Sequence, residues 1–128
     1  MLRESLKHES AQIRAAAIAA LGAIGNAANA AEPDLVSALK DVDRDVRHAA
    51  VRSIRTIELE SDSVVRGLID VMQDARDQES TGQLAVKSLA KLASQHAAAV
   101  DALRESTKDR NYGVSSLAKQ FLKRIDAE

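Results

Sequence analysis

The chain contains no cysteine. Disulfides, cysteine metal sites and thiol nucleophiles are thereby excluded. Tryptophan is absent too, and Tyr112 and Phe121 are the only aromatic residues. Any core must be assembled from Ala, Leu, Ile and Val, and the aromatic platforms that single-stranded nucleic acids stack on are missing. Proline occurs once, at Pro33, and glycine five times, so few positions can break a helix. Neither sign of charge dominates: 18 Lys and Arg stand against 19 Asp and Glu, for a formal net charge of -1. Nucleic-acid-binding domains usually carry a basic excess, so a nucleic-acid partner is not expected. No apolar run is long enough to span a bilayer. The Ala-rich stretch from Ala15 to Ile24 sits inside an amphipathic pattern that continues beyond it, which argues against a signal peptide. The expectation is a soluble, cytoplasmic chain whose 128 residues fit a single domain.

What the chain does contain is a repeat. Leu2, Leu6, Ile13, Arg14, Ala17, Leu21 and Ile24 are matched, 33 positions on, by Leu35, Leu39, Val46, Arg47, Ala50, Ile54 and Ile57. Every apolar residue meets another apolar residue, and the arginine recurs. A further 35 positions lead to Ala85, Leu89 and Leu92, and 33 more to Ala118, Leu122 and Ile125. Four repeats follow, at approximately 1–25, 31–58, 62–94 and 96–126. Within each, the apolar spacing is that of two amphipathic helices. Pro33 suits the first turn of a helix, where a missing N–H costs nothing. Ser10, Ser61 and Ser80 are expected N-caps, and Gly25 an expected C-terminal stop. Residues 26–32 read as a loop. Phe121, at helical spacing with Leu117 and Ile125, is expected in the core. A single hairpin cannot bury its apolar face, whereas stacked hairpins share one.

The stretch Leu39-Lys-Asp41-Val-Asp43-Arg44-Asp45-Val46-Arg47-His48-Ala49-Ala50, running on to Ile54 and Ile57, resembles a HEAT repeat. It is similar to the short HEAT-like type also found in phycobilisome lyases. The resemblance implies an all-α, right-handed solenoid of about four helical hairpins, with the second helix of each lining a concave face. It also implies a ladder between neighbouring repeats, from an Asp before the second helix and an Arg within it. Asp41 and Arg47 match both positions, and Arg14 matches in the first repeat, where His8 replaces the Asp. In the fourth repeat Asp109 matches but Ser115 replaces the Arg, and the third has Thr81 and Gly82 where Val and Arg belong. The first repeat begins at Met1, where the second has Asp34, with no capping lead-in. That is the pattern of a fragment of a longer solenoid, or of a chain that stacks its exposed end on a second copy.

His-Glu pairs bind iron in the related HEAT-repeat deoxyhypusine hydroxylases, but there they recur with the repeat. Here His8-Glu9 occurs once, in a turn, and a metal site needs convergent ligands; no metal is expected. A basic ridge has more to say. His48, Arg52 and Arg55 follow i, i+4, i+7 and share a helix face away from the apolar stripe. Lys87 continues that face in the third repeat, with Lys91 beside it, and Lys123 in the fourth, with Lys119 nearby. The first helices are acidic by contrast, with Glu32, Asp34, Asp62, Asp70, Asp74, Asp77, Asp101, Glu105 and Asp109. A ridge of one sign can steer an oppositely charged partner, or it can simply solvate an exposed face.

The chain carries no Gly-rich phosphate loop, no zinc spacing and no recognisable Ser-His-Asp context, so neither catalysis nor a cofactor is expected. The reading is a protein-binding scaffold that grips an acidic segment through His48, Arg52, Arg55, Lys87, Lys91, Lys119 and Lys123, with Arg14, Asp41 and Arg47 as the structural ladder. Two alternatives are a lyase or isomerase acting on a bilin, whose propionates would pair with the same ridge, and a structural solenoid that self-associates end to end. Tyr112, at the start of the last helix, either forms a contact hot spot or packs on a neighbouring repeat.

Overall fold

The structure, a computed structural model, describes residues 9–24, 32–74, 80–93, 95–108 and 112–127. Seven helices lie among them: α1 (Ala11–Ile24), α2 (Glu32–Ala38), α3 (Arg44–Ile57), α4 (Asp62–Gln73), α5 (Ser80–Leu92), α6 (Ala97–Ser106) and α7 (Tyr112–Ala127). No strand occurs among the described residues. The chain divides into two compact units, Met1–Leu59 and Glu60–Glu128.

In the first unit α2 and α3 form a hairpin, and α1 lies along α3. Pro33 occupies the first turn of α2, as its fixed φ allows. The turn before α3 is built by two aspartates. Asp43 caps the helix, its carboxylate accepting from the N–H groups of Asp45 (2.8 Å) and Val46 (3.3 Å). Asp41 in turn accepts from the N–H of Asp43 at 2.9 Å. From there Val46, Ala50, Ile54 and Ile57 recur at helical spacing and are all buried. At the far end Glu58 takes a left-handed conformation, with φ at 63°. The N–H of Glu58 reaches Arg55 O at 3.3 Å and that of Leu59 reaches Ile54 O at 3.2 Å. This is a Schellman closure, made here without the usual glycine.

The contact between α1 and α3 is unusually close at one point. A Cβ on Gly22 would lie 2.6 Å from Ser53 Oγ and 3.1 Å from Ser53 Cα. The Ser53 hydroxyl donates to Ile18 O at 2.8 Å, so the one polar group at this crossing is satisfied.

In the second unit the α4–α5 hairpin stacks on the α6–α7 hairpin, α4 against α6 and α5 against α7. Ser61 caps α4, its Oγ accepting from the N–H of Val64 at 3.3 Å. The core comprises Val64, Val65, Leu68, Val71 and Met72 with Ala85, Val86, Leu89, Leu103, Val114 and Ala118. The Ser106 hydroxyl donates to Ala102 O at 2.8 Å and lies 3.2 Å from the buried Met72 sulfur.

Some expectations change. Ile13 and Ile24, expected in the stripe, are 40% and 49% exposed, whereas their equivalents Val46 and Ile57 are 1% and 3% exposed. The reason is packing: among the described residues α3 packs against both α1 and α2, whereas the main partner of α1 is α3. Ser80 is itself the first residue of α5 and does not precede it. Phe121, Leu117 and Ile125 are half-buried, and Arg124 lies over the Phe121 ring at 5.9 Å. Leu2, Leu6 and Gly25 lie outside the described residues, as do 26–31 of the expected loop, whose last position, Glu32, opens α2.

Two substitutions probe this packing. Ile57→Ala is expected to cost about 2–5 kcal/mol in urea unfolding, the range for a buried aliphatic truncation. Ile24→Ala, at the equivalent position, should cost about 1 kcal/mol or less. Gly22→Ala should destabilise the chain even though helix propensity alone favours alanine by about 1 kcal/mol, because the new methyl would meet Ser53 backbone. A gain in stability would show that the helices can part there at little cost.

Candidate interaction surface

Asp41 sits where the turn before α3 meets α1. Arg14, on α1, clamps its carboxylate with two bonds, Nε to Oδ2 at 2.9 Å and Nη2 to Oδ1 at 3.0 Å. This is the planar fork that arginine makes with carboxylates. Arg14 also donates from Nη1 to Glu9 O at 2.9 Å, tying it to the turn before its own helix. Arg47 behaves similarly one repeat on. It is 2% exposed, and its Nη1 donates to Asp41 O at 2.6 Å. The three residues named from the sequence are thus brought together, with the carboxylate of one repeat on the guanidinium of the repeat before it. In the second unit the positions equivalent to Arg47 hold Gly82 and Ser115, neither able to extend such a pairing.

Charge follows from this geometry. Partial burial pushes the Asp41 carboxyl up, but the Arg14 bonds, the Asp43 N–H and the charges of Arg14 and Arg47 together hold it below its ordinary value. A carboxyl depressed in the folded state stabilises the fold above its unfolded-state value and loses that contribution as the pH falls through the folded one.

The side of α1 and α3 away from the buried stripe forms a groove of about 540 Å³. Ala15, Ala16, Ala19, Gly22 and Ala23 of α1 line one side, and none of them extends past a methyl group. Asp45, His48, Ala49, Arg52, Ser53 and Thr56 of α3 line the other. His48 is half-buried and Arg52 exposed. Arg55 does not line this groove; it is half-buried, and its Nε is buried without a hydrogen-bond partner among the described residues.

A second groove, of about 930 Å³, lies between α6 and α7 in the second unit. Arg104 of α6, Thr107 just beyond it, and Ser116, Lys119, Gln120, Leu122, Lys123 and Asp126 of α7 line it. Lys119 and Lys123 are therefore brought together, while Lys87 and Lys91 are exposed on α5 and line neither groove. Arg104 was not singled out by sequence. It pairs with Asp126 through Nη2–Oδ1 at 2.7 Å and Nη1–Oδ2 at 3.3 Å, with both side chains about half exposed, at 52% and 54%. Its guanidinium holds the Asp126 carboxyl below its ordinary value. Among the described residues no three His, Asp or Glu side chains come together as metal ligands would. His8 lies outside the described residues, and Glu9 is exposed. Among the described residues no helix is long and apolar enough to cross a membrane.

The Asp41 pairing has a measurable signature. Asp41→Asn is expected to lower the urea midpoint at neutral pH. The gap from wild type should begin to narrow below about pH 4, where the unfolded carboxyl protonates, and vanish as the pH falls through the lower folded-state value. A gap independent of pH would mean that the Asp41 charge contributes nothing.

A family model of HEAT repeats matches residues 1–81. Repeats of this kind commonly mediate protein–protein interaction and are typically non-catalytic. No curated protein matches the chain. The match takes in the whole of the α1–α3 assembly with its Arg14–Asp41–Arg47 pairing and the α4 helix beyond, and the chain belongs to the HEAT-repeat family.

Proposed function

We propose that the chain is a non-catalytic protein-binding module of the cytoplasm that holds an acidic segment of a partner against its second helices. The observation that carries this reading is the groove between α1 and α3. Its α1 side is shaved to alanine and glycine, which leaves room for a partner's side chains. Its α3 side offers Arg52 and His48, and a cation beside an apolar floor is a setting in which a carboxylate is both attracted and positioned. Of the remaining basic residues, Arg55 lies on α3 itself, and Lys87, Lys91, Lys119 and Lys123 lie on the second helices of the second unit. All of them except the half-buried Arg55 are exposed. Long basic side chains of this kind can lay their aliphatic stems on a partner and keep their charge at its rim.

The test is affinity capture from the source cell's lysate, with wild type beside a variant carrying Arg52→Glu, Arg55→Glu and Lys87→Glu, after both show equal helicity by circular dichroism. A protein retained by the wild type and lost by the variant is the expected result. If both retain the same proteins, or neither retains any, the ridge is not the recognition surface.

A further inference from the structure

The α6–α7 groove differs from its counterpart in the first unit in being cationic along both walls. Arg104, Lys119 and Lys123 line it against a single carboxylate, that of Asp126. Lys119 and Lys123 are exposed and make no ion pair with any described residue. They stand one helical turn apart on the same face of α7, so their stems start about 6 Å apart. That spacing matches carboxylates four residues apart on a helix, and nearly that of residues two apart on an extended strand, about 6.7 Å. Leu122, buried beneath, and the lysine stems supply an apolar floor. Ser116 and Gln120 add neutral hydrogen-bonding groups.

The one acidic residue of the lining is Asp126. Its bond to Arg104 is short, but both groups are half exposed, and ion pairs so placed contribute little to stability. The carboxylate already lies on Arg104 as a bidentate fork, which is the geometry an incoming carboxylate would need.

We propose that the α6–α7 groove is a docking site for an acidic, amphipathic segment of a partner protein, whose carboxylates engage Lys119 and Lys123 and displace Asp126 from Arg104. The site rests on the protein-binding reading above, and it specifies the partner's chemistry: carboxylates alternating with apolar side chains. Asp126 is the internal competitor. A nucleic-acid strand is disfavoured, because no aromatic side chain lines the groove on which bases would stack.

The probe is a fluorescein-labelled peptide of alternating Glu and Leu, with a Gln and Leu peptide as control, read by fluorescence anisotropy at low ionic strength on the full chain. Wild type should bind the Glu peptide in preference to the control. Lys119→Glu with Lys123→Glu should weaken binding by about tenfold or more. Asp126→Asn should tighten it by about threefold, since one repelling charge leaves and Arg104 is released. A gain for the Glu peptide without a gain for the Gln control is not what exposed apolar surface in a misfolded variant would give. Unchanged affinity in the double-lysine variant overturns the proposal, and so does an Asp126→Asn variant that binds no more tightly. Tighter binding to an oligothymidylate than to the Glu peptide would overturn it as well. The Arg52→Glu, Arg55→Glu, Lys87→Glu variant separates the two readings. Loss of the peptide there with retention in the double-lysine variant defeats this groove alone. The reverse pattern leaves the groove standing and moves recognition off Arg52, Arg55 and Lys87.

Discussion

Helices in this chain must approach one another closely, because they have little bulk with which to fill the space between them. With two aromatic residues in the whole sequence, a buried surface can be built only from aliphatic side chains, and these fill space only when the backbones lie near each other. Gly22 and Ser53 are where that requirement is tightest: a single added carbon would meet the opposite helix at 2.6 Å. The same closeness buries the Ser53 hydroxyl and so obliges it to find an acceptor, which Ile18 O supplies. Packing and polar satisfaction are thus one constraint at this crossing.

The polar chemistry at the turns follows from the stacking of repeats. A turn lying against a neighbouring helix exposes fewer of its backbone groups to water, so it needs partners from side chains. Asp41 and Asp43 serve the turn before α3, one bridging to Arg14 and the other capping the helix. Arg47 completes the arrangement from within the buried face. In the second unit Gly82 and Ser115 stand at the equivalent positions, and the repeats meet through apolar contact, Ser106 on Met72, and His96 Nδ1 at 3.6 Å from Asp62 Oδ1. Two ways of joining repeats therefore coexist in one short chain.

Both grooves are by-products of that packing. Small residues on α1 let it lie against α3, and the same alanines, continuing round to the outer side, leave a channel there. The groove between α6 and α7 runs along that hairpin, with buried Leu122 at its base and polar side chains around it. A core that needs no aromatic bulk thus leaves open, chemically plain grooves beside its helices. Fold alone does not assign a function.

Much of this was legible without coordinates. The 33- and 35-residue offsets, the Leu, Ile and Val stripe, Pro33 and the Asp41–Arg47 spacing determine a chain of amphipathic hairpins, because helical periodicity is written residue by residue. The basic face of His48, Arg52 and Arg55 was legible for the same reason. Tertiary structure alone decided which members of each stripe are covered: Ile24 and Ile57 are the same residue at the same register, yet one is half exposed and the other buried. It alone set Arg14 on Asp41, an ion pair 27 positions apart in sequence. It also decided that Lys119 and Lys123 share a groove with Arg104 while Lys87 and Lys91 stand outside both grooves. Periodicity says which way a side chain points from its own helix; which neighbouring element meets it depends on how helices distant in sequence are packed, and that is a property of the assembled chain.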